Sequence, residues 1–324
     1  MKPSARIEKS SNKHGMHPRN RHRTGYDFDA LIATCAELQQ WVKRSAYDVD
    51  TIDFSNPEAV LTLNRALLIH DYGITHWSIP AGFLCPPIPG RADHIHHLAD
   101  LLAENNNGKI PRGSAIKCLD IGVGANCIYP IIGHHEYGWT FIGSEIEPAA
   151  IESAEAIIKT NSSLRNHIQI RKQKNPKSIF NDMIQPEEYF DLTLCNPPFH
   201  SSAEEAERGT LRKINNLTGN KGQQPALNFG GGGHELWCEG GEQEFIRRMI
   251  DESRQFAHSC MWFTTLVSKK SNLNSIYHAL RSIEVSDLRT IEMAHGNKVS
   301  RIVAWTFFDS KKQSIWRQHR WMTK

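Results

Sequence analysis

The chain has 324 residues, a formal net charge of +3, 39% hydrophobic residues and seven cysteines. That length suits one large α/β unit with an appendage; no run approaches the length of a membrane span, and the polar start Met1-Lys2-Pro3-Ser4 does not read as a signal peptide. An odd cysteine count without a C-x-x-C pair points to reduced thiols in a cytoplasmic setting rather than a disulfide frame. The 17 histidines lack metal-ligand spacing, so no metal is expected.

Charge is unevenly placed. Residues 1–26 carry a net +6, residues 310–324 a net +5, and the body between them −8. Residues 1–25 therefore read as a basic, partly disordered arm suited to phosphate-backbone contact. For residues 1–13 a plain solvated tail is the competing reading. Residues 310–324 read as a basic tail.

A helical N-terminal subdomain is expected over 26–109. The stripe Phe28, Leu31, Ile32, Cys35, Leu38 and Val42 predicts a helix over 27–45. Asn56 as cap and Pro57 in the first turn predict a second helix to residue 72, with Val60, Leu63, Leu67 and Leu68 on its apolar face. Residues 79–90 are proline-rich and read as non-helical, and 91–104 as a helix opening on Arg91. By itself Arg91 reads equally as a surface residue at a helix start.

The catalytic domain is expected over 110–309. Residues 116–121 look like a buried parallel strand. Asp120-Ile121-Gly122-Val123-Gly124 then leads into a glycine turn that lets backbone approach a ligand closely. Cys127 stands where the dinucleotide fingerprint has its third glycine, which favours an S-adenosylmethionine loop over NAD. A second strand ends at Glu145, 21 residues past Gly124, where an acidic side chain meets ribose hydroxyls. Helix 149–160 and strand 168–171 continue a βαβ alternation, hence a doubly wound, mostly parallel sheet. Ser178 reads as a loop serine.

A third apolar strand, 190–194, runs into Asn196-Pro197-Pro198-Phe199. Asp191 on that strand reads as structural. The tetrapeptide answers one chemical problem. The lone pair of a conjugated amine such as adenine N6 is delocalised, so its N–H groups must be held by acceptors. The Asn196 side-chain oxygen and the Pro197 carbonyl are such acceptors, the prolines remove donors and fix φ, and Phe199 can stack on a flipped base. The competing reading is an ordinary strand exit, because Asn-Pro is a common turn dipeptide.

Residues 201–241 form a long polar insert with eight glycines between 219 and 241, read as a mobile lid over the target base. Helix 242–256 and strand 260–266 follow. Lys269 and Lys270 read equally as phosphate ligands or as a solvated strand end. Gly296-Asn297-Lys298 is hairpin chemistry between strands 286–293 and 300–308.

Taken together, Gly15-Met16-His17-Pro18-Arg19-Asn20-Arg21-His22, Asn56-Pro57-Glu58-Ala59-Val60, the run from Asp120 to Pro130 and Asn196-Pro197-Pro198-Phe199-His200 resemble one family. It is the bacterial 23S ribosomal RNA adenine-N6 methyltransferase family F, with related eukaryotic RNA adenine methyltransferases. The resemblance spans about residues 14 to 309. It implies a class I, Rossmann-like methyltransferase fold with an antiparallel closing hairpin, and S-adenosyl-L-methionine as donor with S-adenosyl-L-homocysteine as product. It further implies 23S rRNA or a large-subunit assembly intermediate as partner; a monomer is expected, though the residues do not fix the oligomeric state. It gives Arg91, Asp120, Gly122, Gly124, Glu145, Ser178 and Asn196 to the cofactor, with Arg91 on its carboxylate and Ser178 beside its adenine. Asn196, Pro197, Pro198 and Phe199 are the catalytic set, and the same resemblance implies RNA contact for Arg19, Arg21 and Arg23. DNA adenine and protein-glutamine methyltransferases share the Asn-Pro-Pro-aromatic motif. The missing target-recognition domain argues against the first and the basic arms against the second. A non-catalytic ribosome-assembly factor is the remaining alternative, and its site should have lost some of Gly122, Gly124, Glu145 and Asn196.

Overall fold

The computed structural model describes residues 6–8, 15–206, 208, 233–295 and 298–322. Their main sheet has eight strands in the order β1-β9-β10-β8-β7-β4-β5-β6. These are β1 (Arg6–Glu8), β4 (Lys117–Ile121), β5 (Thr140–Glu145), β6 (Ile168–Lys172), β7 (Phe190–Cys195), β8 (Cys260–Val267), β9 (Asp287–His295) and β10 (Lys298–Thr306). β6, β5, β4, β7 and β8 run parallel, and β10 is antiparallel to both β8 and β9. This is the expected doubly wound sheet closed by an antiparallel hairpin. Every residue of β7 and β8 is buried, which is why those strands read as continuous apolar runs rather than alternating ones.

The remaining elements are α1 (Phe28–Thr34), the two-stranded ribbon β2 (Lys43–Arg44) and β3 (Asp50–Thr51), α2 (Pro57–Tyr72), α3 (Ile88–Glu104), α4 (Ile128–Tyr137), α5 (Pro148–Thr160), α6 (Gly241–Ser253), α7 (Leu273–Ser282) and α8 (Ser310–Arg320). One apolar core runs from Phe28 on α1 through α2 and α3 to Trp316 on α8, so the N-terminal helices pack as part of the sheet's own layer.

Several sequence expectations change. The helix expected over 27–45 stops at Thr34. Cys35 leaves the helical basin at φ −138°, and the Thr34 hydroxyl donates back to the Ala30 carbonyl at 2.8 Å. The stripe is still used: Leu38 is buried in a 3₁₀ turn, Ala36–Trp41. α3 begins at Ile88, with Pro89 in its first turn, so Arg91 is a first-turn residue.

The described part of the basic arm is docked on the body. The backbone of Arg6–Glu8 pairs with Arg289–Ile291, and from His17 onward the segment is docked on α3. The His17 amide donates to Asp93 at 2.6 Å and Asn20 Nδ2 to the Pro89 carbonyl at 2.9 Å, while His22 Nε2 lies 2.9 Å from the Tyr72 hydroxyl. Arg19 is paired with Asp100 at 2.7 Å and donates to Tyr137, and Arg21 is paired with Glu136 at 2.8 Å. Both guanidiniums thus fasten the segment to the body. Arg23 is exposed.

The basic tail is likewise a docked helix. Trp316 and Trp321 donate to Asp191 at 2.7 Å each, and Arg320 pairs with the same carboxylate at 3.1 Å. Asp191 is fully buried and also takes the Lys117 amide at 2.7 Å, consistent with its structural reading. The lid expected over 201–241 lies mostly outside the described residues, as does the Gly296-Asn297 turn.

Candidate active site

The cavity lies where the doubly wound sheet reverses direction, at the carboxyl ends of β4, β5 and β7, the place such sheets bind ligands. It holds about 350 Å³. Its floor is the glycine turn. Gly122 and Gly124 adopt φ of +71° and +67°, a region that L side chains seldom enter. The turn is pinned to β5: the amides of Gly122 and Val123 donate to the Ser144 carbonyl at 3.0 and 2.9 Å, and the Gly124 amide to Glu145 Oε2 at 2.9 Å. Cys127, in place of the third glycine, takes φ +51° before α4. The close helix–strand approach which that glycine usually permits is made by Gly133, where an added Cβ would overlap the Phe141 ring.

Glu145 is buried at the tip of β5. Its second oxygen accepts the Ile146 and Glu147 amides at 2.7 and 3.1 Å. The carboxylate thus shapes the turn it projects from and lines the cavity.

Asp120 departs from expectation, since it does not line the cavity. It sits beneath the glycine turn, 1% exposed, and neither carboxyl oxygen has a hydrogen-bond partner. Burial pushes this carboxyl up to about 8; Arg91 opposes the shift and Glu145 adds to it. Its position recessed below Ile121 suits it to back the turn rather than to touch a ligand.

Arg91 does reach the cavity. Its Nη1 donates to the Tyr129 hydroxyl at 2.8 Å and its guanidinium lies 5.3 Å from the centre of that ring. The same hydroxyl meets His94 Nδ1 at 3.0 Å, and burial holds His94 down at about 3, hence neutral. A neutral imidazole below and an aromatic ring beside it leave Arg91 as the cation of this end of the cavity.

At the other end lie Gln173, Pro176, Ser178 and Ile179. This rim is held from behind by Glu252 on α6, which accepts the amides of Ile179, Phe180 and Asn181 at 2.7, 2.9 and 2.6 Å.

Asn196 follows β7 directly and lines the cavity with Cys195 and Pro198. Its Oδ1 is buried without a hydrogen-bond partner. A buried amide oxygen left without a donor costs roughly 1–3 kcal/mol, so this atom is set for a donor that arrives with a ligand. Pro197 and Phe199 do not line the cavity. The Phe199 and His200 amides instead donate to the Leu236 carbonyl at 3.1 and 3.0 Å, tying the motif's exit to the far end of the glycine-rich insert.

Lys269 and Lys270 are exposed past β8, and Lys269 Nζ lies 3.5 Å from Glu205. Glu242 positions that corner by accepting the Ser268 amide at 2.7 Å and Asn272 Nδ2 at 2.7 Å.

Four features of the site had no signal in the sequence: Tyr129, Gln173, Glu252 and Glu235. Tyr129 stood inside the quoted glycine-turn run without a role. Glu252 lay inside the helix expected over 242–256 without a role of its own. Glu235 lay in a glycine-rich stretch with no periodicity. Among the described residues no His, Cys, Asp and Glu cluster could hold a metal, and no helix is long and apolar enough to cross a membrane.

The comparisons agree with this geometry. A family model described as RNA methyltransferase matches residues 10–309. A Serratia proteamaculans protein named Ribosomal RNA large subunit methyltransferase F is 56% identical over 310 residues, which is 95% of this chain and 92% of that one. A Cytophaga hutchinsonii protein of the same name is 55% identical over 309 residues, 95% of this chain and 96% of that one. Among solved structures, the hMettl16 catalytic domain in complex with MAT2A 3′UTR hairpin 1 aligns with a TM-score of 0.75 at 30% identity, over 91% of this chain and 96% of that one. The N-terminal domain of human METTL16 in complex with SAH aligns with a TM-score of 0.71 at 28% identity, over 91% and 99%. A glycine turn, a strand-end acid and Asn196 with Pro198 around one cavity on a class I sheet, with relatives this similar over nearly the whole length, make this chain a methyltransferase of the RNA methyltransferase family.

Proposed function

We propose that this chain transfers a methyl group from S-adenosyl-L-methionine to N6 of an adenosine in 23S ribosomal RNA of the large subunit. The observation that carries the reading is the buried, donor-less Asn196 Oδ1 at the edge of the glycine-turn cavity. It rests as well on what the relatives' names say they act on.

The cavity's residues fit the cofactor. The Gly122–Gly124 turn lets backbone lie against it, Glu145 offers acceptors to ribose hydroxyls, Arg91 offers a cation to a carboxylate, and Ser178 with Ile179 borders the adenine end. When bound, the cofactor supplies a methyl group on a sulfonium, an activated leaving group.

What the chain adds is position. Asn196 Oδ1 and the Pro197 carbonyl accept the two N–H groups of the target amine and turn its weak lone pair toward the methyl. Holding reactants on the attack line is worth several kcal/mol. The amine loses its proton after attack, when it is acidic, so the motif needs no strong base. Phe199 follows Pro198 and offers a ring to a flipped base. Arg23, Lys269 and Lys270 are exposed cations that can take backbone phosphates.

Mapping N6-methyladenosine on 23S rRNA from cells with and without this chain tests the reading. One adenosine should lose its methyl group when the chain is absent. Identical maps would end the proposal.

A further inference from the structure

One hydroxyl joins the arginine of the cavity to the glycine turn. Tyr129 is the second residue of α4 and stands two positions after Cys127, where the turn hands over to the helix. The start of α4 is fixed by its own contacts: Asn126 Oδ1 accepts the Ile128 amide at 3.1 Å, and the Asn126 carbonyl accepts Trp77 Nε1 at 2.9 Å. The Tyr129 hydroxyl therefore occupies a place set by the turn. Opposite it, Arg91 and His94 lie three residues apart on α3, hence on one face of that helix. Both reach the same oxygen. Arg91 Nη1 donates to it at 2.8 Å, and His94 Nδ1 lies 3.0 Å from it. The His94 and Tyr129 rings also pack T-shaped, with centroids 5.1 Å apart, so ring and hydroxyl are held by the same neighbour.

The groups that hold Arg91 carry no charge. Burial pushes the Tyr129 hydroxyl up to about 12, with Arg91 opposing the shift, and holds His94 down at about 3. Phenol and imidazole are both neutral under physiological conditions. An arginine steered by a carboxylate is neutralised by that partner, as Arg19 is by Asp100 and Arg21 by Glu136. A phenol instead directs the Arg91 guanidinium without cancelling its charge. The bond to Tyr129 uses one N–H of the fork, and a guanidinium has others with which to meet a planar anion such as a carboxylate.

We propose that Tyr129 is a positioning residue for the carboxylate of the cofactor's amino-acid end: its hydroxyl aims the Arg91 guanidinium, and so makes the cavity select a ligand that carries this carboxylate. This deepens the proposed function and rests on its assignment of Arg91 to a cofactor carboxylate. Tyr129 acts through Arg91. Its hydroxyl should therefore matter only when both Arg91 and the ligand's carboxylate are present.

The test is calorimetric binding of two probes to the wild-type chain, Tyr129→Phe, Arg91→Gln and the double variant. The probes are S-adenosyl-L-homocysteine and the same thioether with an aminopropyl tail, which lacks only the carboxylate. Phenylalanine keeps the ring beside His94 and removes the oxygen. Thermal melting of all four chains checks the fold, and binding is read below the lowest of their melting ranges. Tyr129→Phe should weaken S-adenosyl-L-homocysteine about tenfold, the size of one hydrogen bond to a charged group. It should leave the aminopropyl probe unchanged. In the Arg91→Gln background it should weaken neither probe further, because residues that act through one another are not additive. Equal losses for both probes, an undiminished loss in the Arg91→Gln background, or no loss at all would overturn the positioning role while leaving the cofactor assignment intact. A wild-type chain that holds both probes equally tightly would overturn it as well, by taking the carboxylate away from Arg91. Failure of the wild-type chain to bind S-adenosyl-L-homocysteine at all would sink the cofactor assignment and this inference with it.

Discussion

At the scale of single residues, the site combines groups that are fully engaged with one that is not. Glu145 accepts three backbone amides, whereas Asn196 Oδ1 has no donor. The two should therefore fail differently. Asn196→Ala should leave S-adenosyl-L-homocysteine affinity within a few-fold and lower methyl transfer by at least about a hundredfold, as loss of a positioned acceptor does; wild-type turnover would rule out Asn196 as the amine acceptor. Glu145→Ala strands buried amides as well as removing the proposed ribose acceptor. It should weaken cofactor binding by roughly 1.5–3 kcal/mol and also lower stability, which paired calorimetry and urea unfolding separate. Asp120 gives a pH signature. Its folded-state value, about 8, lies above its ordinary 3.8. Its contribution to stability is full below the ordinary value, declines as pH rises between the two, and is gone above about 8. Denaturation from pH 4 to 9 should show this decline in the wild type relative to Asp120→Asn, which keeps the shape without the titration. Parallel curves would show that Asp120 is ionised throughout.

At the scale of elements, two buried carboxylates hold together segments far apart in the chain. Glu252 on α6 accepts three amides of the rim that carries Ser178 and Ile179 to the cavity. Asp191 on β7 accepts two indoles and an arginine from α8. α8 by itself is a short, polar helix with one buried residue, so its position depends on this carboxylate and on Trp316 packing. Asp191→Ala leaves two indole N–H groups and the Lys117 amide without their acceptor and should cost about 3–5 kcal/mol, the usual effect of removing one partner of a buried ion pair. Urea unfolding measures it, and a loss under about 1 kcal/mol, the size of a surface pair, would mean that α8 is held by packing alone.

At the scale of the whole molecule, charge and fold are divided unevenly between ends and body. Arg19 and Arg21 serve the docking of residues 17–24, so a cut through residue 25 would also remove the buried His17, Asn20 and His22. A cut after residue 14 instead removes Lys2, Arg6, Lys9 and Lys13 alone among the arm's cations. If these reach phosphates, filter binding of an rRNA fragment at several salt concentrations should give a flatter log–log slope for the shortened chain. The change should approach one unit per lost contact, with cofactor affinity unchanged. An unaltered slope would mean that residues 1–14 carry no phosphate contact.

The chain's own order of residues determined whatever depends on neighbours along the backbone. Positive φ at Gly122 and Gly124, the Asn56 cap before Pro57, the apolar runs of β4, β5, β7 and β8, and the rigid Asn196-Pro197-Pro198 exit are all local requirements, written within a few positions of one another. They sufficed to read the doubly wound sheet and most of the cavity floor. The tertiary structure alone decided which distant groups meet. It set Arg19 against Asp100 across 81 positions, Glu235 against Leu84 across 151 and Trp316 against Asp191 across 125. A charged residue looks the same in a sequence whether it faces solvent, a phosphate or a buried partner. Only the order of strands and the packing of helices on them turned residues 17–24 and the basic tail into docked segments, recessed Asp120 below the turn and brought Glu235 into the cavity. Those outcomes come from long-range burial and pairing energies, which no local pattern records.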